Sequence, residues 1–216
     1  MSGTVEAVCT GQVEEFEVLG SDPPRTATTA IRKTPVDGTV LITADGLEGD
    51  EIANRDAHGG SLRTVYAYAS EDRGFWERQL GRDLPPGSFG ENLALSGIDV
   101  TGAKPGERWR VGEALLEVTT IRTPCYKLAW ALDRPKIERE FQRAARPGAY
   151  LTVIEEGEVA AGDEVRVVRT REDHEVTMGL LAHAFHNDRR LRDDVLEEVD
   201  LLPPAVGDHV TSMLRG

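Results

Sequence analysis

Between Thr4 and about Val168 the apolar residues come in short segments, each closed by a glycine or a small group of turn residues. That punctuation leaves little room for long helices, so the pattern predicts a mostly β domain. Candidate strands are Val5 to Cys9, Val13 to Val18, Val40 to Thr43, Thr64 to Tyr68, Asn92 to Leu95, Arg108 to Val111, Ala114 to Ile121, Tyr150 to Ile154 and Glu164 to Val168. So many short strands in one domain suggest closure into a barrel. The run "RWRVGEALLEV" reads as a hairpin around Gly112 and Glu113.

Two helical stretches interrupt the pattern. Ser70 is placed to cap a helix that passes Phe75, Trp76 and Leu80 and stops at Gly81. A second stretch covers Tyr126 to Leu132, and Pro135 offers a first-turn start for "PKIEREFQRAA". Beyond Arg169 the glycine punctuation ends. Leu180, Leu181, Ala184 and Phe185, then Leu191, Val195, Leu196 and Val199, fall at helical spacing. Three short helices are expected there, the first capped by Thr177, the second by Asp188 or Asn187, the third beginning near Pro204. The reading is therefore a mostly β domain with α over residues 1–168 and a small C-terminal three-helix module over 169–216.

At 216 residues the chain can bury one substantial core and carry a small appendage. Its net charge of -13 repels polyanions, and no Lys/Arg-rich run offsets it, which argues against nucleic acid as a partner. A small anion can still bind where a few cations converge, because contact geometry outweighs a screened net charge. Two cysteines, Cys9 and Cys125, are too few for a disulfide framework and fit a reducing compartment. No basic-then-apolar leader pattern and no apolar run of roughly 18 residues is present, so a cytoplasmic protein without membrane attachment is expected.

The stretch "IRTPCYKLAW" concentrates reactive chemistry. Cys125 follows Pro124 where an extended run gives way to a helix-forming one, between Arg122 and Lys127. Nearby cations and a helix N-terminus both favour the thiolate, which is the nucleophile and a soft metal ligand. Taken alone, the same cysteine could equally be a small buried hydrophobe. The segment "GLEGDEIANRDAHGGSLR" joins four glycines to His58, a candidate general acid or hydrogen-bond donor, and to Arg63. Asp45, Glu48, Asp50 and Glu51 make it acidic, so it is no phosphate cradle by itself, and a set of tight turns is the simpler reading. Asn92 in "FGENL" can donate and accept hydrogen bonds. Arg32 and Lys33 in "AIRKTP" point to opposite sides of an extended segment, so at most one reaches a common pocket. His174, His183, His186 and His209 lie in or near the helical module and are expected to be surface or packing residues.

In order, "GLEGDE", "HGG", "FGENL", "VGEALLEV" and "RTPCYKL" resemble the motifs of the MOSC domain, the module named for the C-terminal part of molybdenum cofactor sulfurase. With "AIRKTPVDG" before them and the helical tail after them, the chain is similar to the YiiM-type branch, the bacterial N-hydroxylaminopurine-resistance proteins. The resemblance spans Thr4 to the end. It implies a β-barrel-like fold and a molybdenum cofactor, a phosphate-bearing molybdopterin whose metal is bound by the cysteine that corresponds to Cys125. It further implies reduction of N-hydroxylated small molecules such as hydroxylaminopurines, amidoximes or hydroxylamines, with Cys125 and His58 as catalytic residues. Asn92, Lys33, Arg63, Arg122 and Lys127 are the implied cofactor contacts. A cofactor carrier, or a sulfurtransferase holding a persulfide on Cys125, are the alternatives. With no flavin or nicotinamide fingerprint and too few cysteines for an iron–sulfur cluster, electrons would come from an external reductase. The chain departs from its relatives after "HGG", where Ser61 and Leu62 stand in place of a proline and an acidic residue. The helical module is left three roles: to receive a redox partner, to pack against a second subunit as a homodimer, or to cover the pocket.

Overall fold

The computed structural model describes residues 2–18, 21–23, 25–53 and 61–216. In chain order the first strands are β1 (Ser2–Thr10), β2 (Glu14–Glu17), β3 (Thr26–Thr29), β4 (Thr34–Pro35), β5 (Thr39–Thr43) and β6 (Gly46–Leu47). A 3₁₀ turn (Ser61–Arg63) leads to β7 (Val65–Ala69), helix α1 (Ser70–Leu80), β8 (Leu93–Ser96), β9 (Arg108–Val111) and β10 (Ala114–Thr120). Then come α2 (Tyr126–Ala131), α3 (Ile137–Ala144), β11 (Ala149–Glu155), β12 (Gly157–Ala160) and β13 (Glu164–Arg169). The chain continues through α4 (Met178–His186), α5 (Arg190–Glu197), a second 3₁₀ turn (Val199–Leu201) and α6 (Pro204–Arg215).

Seven strands form a closed ring in the order β13, β9, β10, β11, β7, β8, β1, with β1 returning to β13, as the sequence pattern predicts. Every pair in the ring is antiparallel except β7 with β8. Parallel neighbours need a crossover longer than a hairpin turn, and α1 is that crossover. The hairpin read from "RWRVGEALLEV" is present, with Val111 opposite Ala114 and Gly112 at φ 52 between them. Strands β3, β4, β6 and β12, which are short and mostly polar at their exposed positions, carry too little apolar alternation to be legible.

Strand β7 shows how the core is divided. All five residues of "VYAYA" are buried, yet alternate side chains point to opposite faces. Val65, Ala67 and Ala69 enter the main apolar cluster within the ring, whereas Tyr66 and Tyr68 enter an aromatic cluster with Trp76, Phe89, Leu128, Ile137 and Phe141. In that second layer Tyr68 stacks on Phe89 at 4.6 Å, and Trp76 donates its Nε1–H to the Tyr68 hydroxyl at 2.9 Å. The main cluster also takes in Leu181, Val195, Val206, Val210 and Leu214, so the C-terminal helices pack on the barrel through the same apolar core. No helix among the described residues is long and apolar enough to cross a membrane.

Helix ends differ from expectation in three places. Ser70 is the first residue of α1 rather than its cap; Ala69 occupies that position and the Ser70 hydroxyl bonds Glu6 instead. Helix α3 starts at Ile137, not Pro135, because Lys136 adopts a left-handed φ of 67 and breaks the run. Helix α5 begins at Arg190 with Arg189, not Asp188 or Asn187, in the cap position, although Asp188 Oδ1 still accepts the Arg190 N–H at 2.9 Å. Thr177 and Pro204 act where expected, Thr177 accepting the Leu180 N–H at 3.1 Å.

The turn before Asn92 depends on a glycine. Gly87 has φ +91, and a Cβ there would lie 2.2 Å from the Lys33 carbonyl oxygen, whereas at Gly38, φ +82, nothing lies within 4 Å. We expect Gly38→Ala to cost on the order of 1 kcal/mol for its left-handed backbone. Gly87→Ala should cost about 1–3 kcal/mol more for the displaced Lys33 segment, read by urea denaturation of both variants.

Candidate functional site

Cys125 sits at the junction the sequence suggested. Pro124 precedes it, its own backbone is extended (φ -131, ψ 174), and α2 starts at the next residue. The helix is anchored on one side by Leu128 and Ala129 in the aromatic cluster. On the other side Trp130 meets the Arg32 guanidinium at 3.5 Å and the Phe16 ring at 4.5 Å. Between these anchors the Cys125 thiol is free, half-buried, and part of the lining of a cavity of about 210 Å³. Cys9 is the opposite case: buried, with its thiol pushed up to about 12, first by burial and then by the charge of Glu91.

Of the residues singled out in the sequence, Lys33, Arg63, Asn92, Arg122, Cys125 and Lys127 all line this one cavity. His58 lies outside the described residues. Arg32 faces away onto Trp130, as the opposed directions of neighbouring side chains require.

Arg122 is 7% exposed, and its Nη1 is buried with no hydrogen-bond partner among the described residues. Burial works against its charge, but Tyr66, Tyr150, Cys125 and Glu91 outweigh it and the net shift is upward. It therefore stands as a fixed cation 5.5 Å over the Tyr66 ring. Tyr66 is kept neutral, since burial raises its phenol well above the ordinary value, and its hydroxyl donates to the Pro147 carbonyl at 2.8 Å. Tyr150 packs beside it at 5.1 Å, so two phenol rings form an apolar wall. Lys127 is half-buried and has no ion pair among the described residues.

Asp50 is the polar hub of the opposite wall. Its Oδ1 accepts the Gly11 N–H at 2.8 Å and the Lys33 ammonium, and its Oδ2 accepts Asn92 Nδ2 at 2.8 Å. Asn92 also donates to the Cys9 carbonyl at 3.3 Å and accepts the Tyr66 N–H at 3.1 Å. Its amide thus has every group engaged within the protein, and it ties β8, β1 and β7 to Asp50. Lys33 and Asp50 are each 9% exposed at the side chain. Burial pushes the Lys33 amine down while Asp50 pulls it up. Beneath them, fully buried Glu91 accepts the Gly87 and Phe89 N–H groups at 2.7 and 2.9 Å and fixes the turn that presents Asn92.

Arg63 ends the 3₁₀ turn, and its Nη2 lies 3.3 Å from His209 Nε2 on α6. The Leu62 that departs from the relatives' pattern packs against the main core, and its carbonyl accepts the Thr119 hydroxyl at 2.6 Å. Sequence reasoning did not single out Asp50, Tyr66, Tyr150 or His209 as site residues. Asp50 was visible only as one of four acids in a loop, the tyrosines only as strand residues, and His209 only as one histidine of a helical tail.

A closed barrel of seven strands with a free cysteine and four arginine or lysine side chains around one cavity defines a recognisable class of protein. The chain belongs to the MOSC domain family, which matches residues 54–166. Among relatives, it is 34% identical to Protein YiiM of Escherichia coli (strain K12) over 165 residues, covering 74% of this chain and 70% of that one. It is 32% identical over 145 residues to a protein of Gibberella moniliformis named "Reductase", covering 65% of this chain and 26% of that protein. The crystal structure of YiiM from Geobacillus stearothermophilus superposes with a TM-score of 0.73 over 98% of this chain and 99% of that one, at 23% identity.

Two outcomes follow from this geometry. Iodoacetamide near pH 8 should label Cys125 in the folded protein and leave Cys9 unmodified, while both react in urea; peptide mass spectrometry reads the difference. Asp50→Ala should lower stability by about 3–5 kcal/mol, because it leaves the Lys33 charge buried without its partner. Pairing Asp50→Leu with Lys33→Met should return most of that loss, measured by the same denaturation assay.

Proposed function

We propose that the cavity holds a molybdenum cofactor, with the metal on Cys125 Sγ, and that the protein reduces N-hydroxylated small molecules with electrons from an external donor protein. The observation that carries this reading is Arg122. A buried guanidinium whose Nη1 has no partner among the described residues, lining the same cavity as a free thiol, calls for an anionic occupant that also offers a soft metal. The residues present fit a phosphate-bearing pterin in this respect.

Within the cavity Cys125 would ligate the metal as its thiolate. Arg122, Lys127 and Arg63 would balance the negative charge of thiolate and phosphate. Lys33 is joined to Asp50, so its part is to keep the hub neutral and in place, and Asn92 locks that hub to three strands. Tyr66 and Tyr150 offer ring faces that exclude water from one side, and the neutral Tyr66 phenol neither gives nor takes a proton near neutral pH. When bound, the cofactor supplies two-electron oxygen chemistry, in which an N–OH group takes up two electrons and two protons and leaves as N–H and water. The reductase name of the fungal relative supports an oxidoreductase reading. No flavin or nicotinamide fingerprint occurs in the sequence, which is why an external electron donor is part of the proposal.

Protein from a host that makes the cofactor should carry near-stoichiometric molybdenum and pterin, and Cys125→Ala should carry almost none, by elemental analysis and pterin fluorescence. Loaded wild-type protein given a chemical electron donor should convert a hydroxylaminopurine to the aminopurine. Empty protein beside loaded host molybdoenzymes would overturn the cofactor assignment; loaded protein inert toward hydroxylaminopurines, amidoximes and hydroxylamines would make it a carrier instead.

A further inference from the structure

The C-terminal helices meet the cavity lining at Arg63 and His209. Arg63 lines the cavity and His209 stands on α6, 146 residues further along the chain, with Nη2 and Nε2 3.3 Å apart. A guanidinium has only donors, so the hydrogen bond between them exists only if His209 Nε2 offers its lone pair. That requires the neutral imidazole with its proton on Nδ1. Once protonated, both ring nitrogens donate, and two cations with no acceptor between them face one another.

His209 is held on a rigid element. Val206, Val210 and Leu214 of α6 are buried in the main apolar cluster, which places them on one face of the helix. Gly207 brings α6 against the preceding 3₁₀ turn, where a Cβ would sit 2.7 Å from the Val199 carbonyl oxygen. The helix therefore fixes the imaginary line from His209 to Arg63 rather than following it. The environment of the ring acts in one direction: burial comes first and the Arg63 charge second, and both lower its proton affinity. Among the described residues, Arg63 is the charged group that acts on it; the other elements packed against α6 contribute none that does.

We infer that His209 is a positioning residue for the cavity: its neutral imidazole accepts a hydrogen bond from Arg63 and helps to orient that guanidinium at the wall, and its protonation removes that bond. The contact stands on the geometry alone, while its consequence for cofactor retention rests on the function proposed above. Under that reading the cavity keeps an anionic ligand well at neutral pH and loosens its hold as His209 takes up a proton.

Two measurements test this separately. In the first, the His209 Cε1–H resonance is titrated in wild-type protein and in Arg63→Gln. The wild-type midpoint should lie below the ordinary histidine value near 6.5 and should rise in the variant, because a cation beside the ring is removed. Equal midpoints would overturn the contact itself. In the second, molybdenum and pterin retained through gel filtration are measured between about pH 8 and pH 5. Wild type should lose cofactor as pH falls through the His209 midpoint. His209→Gln, whose amide oxygen accepts from Arg63 but does not titrate, should retain it across the range, and His209→Ala should retain several-fold less even at pH 8. A His209→Gln profile identical to wild type would overturn the positioning role. Should wild type carry no cofactor while the Arg63→Gln titration still moves, the contact is upheld and the fault lies with the cofactor reading.

Discussion

The polar wall of the cavity hangs from strand β1, which is shared among three partners. Its start closes the ring on β13, its middle pairs with β8, and its end pairs with β4. The same strand supplies the Cys9 carbonyl that Asn92 binds, and the residue that follows it, Gly11, gives its N–H to Asp50. Gly11 is itself tightly enclosed: a Cβ would lie 2.7 Å from the Arg32 carbonyl oxygen and 2.8 Å from that of Ala30. Closure of the barrel and placement of the polar hub are thus one event. A site built on strands and their immediate ends is held more firmly than one carried by free loops.

Two layers of different chemistry meet at the cavity. Beneath α2 and α3 an aromatic layer fixes the helix that follows Cys125. Across the cavity, a buried carboxylate and ammonium, with two further hydrogen bonds to the carboxylate, fix the other wall. The first layer gives stiffness through dispersion and burial, and the second gives direction, because a charged pair in a low-dielectric setting has few acceptable arrangements. Around both, the excess of acidic residues is a long-range feature that salt screens within about 8 Å, so it does not oppose cations acting at contact.

Much of this was legible in the sequence, and the boundary has physical causes. Strands whose apolar residues alternate or fill both faces, such as β7 and β10, were visible from their pattern. The two-residue β4 and β6, which carry no period, were not. Cys125, Arg122 and Lys127 could be grouped because they are neighbours in the chain. Their company with Lys33, Arg63 and Asn92 came from ordered motifs rather than from any local rule. Asp50 and His209 stayed hidden for a common reason: their meaning is set by a partner far away in sequence. Pairing Asp50 with Lys33 or His209 with Arg63 requires the closed barrel and the docked tail.

The residues that line the cavity lie between Thr29 and Tyr150 and meet only when the ring is complete. An unfolded chain therefore offers only the local piece from Arg122 to Lys127, and whatever occupies the whole cavity binds the native state far better. Each tenfold excess of such a ligand over its dissociation constant adds about 1.4 kcal/mol to the resistance to unfolding. Marginal folds are continually sampled by proteases, so an increment of that size changes how much chain survives. The amount of folded protein is in this way tied to the supply of what it binds, with no sensor other than the fold.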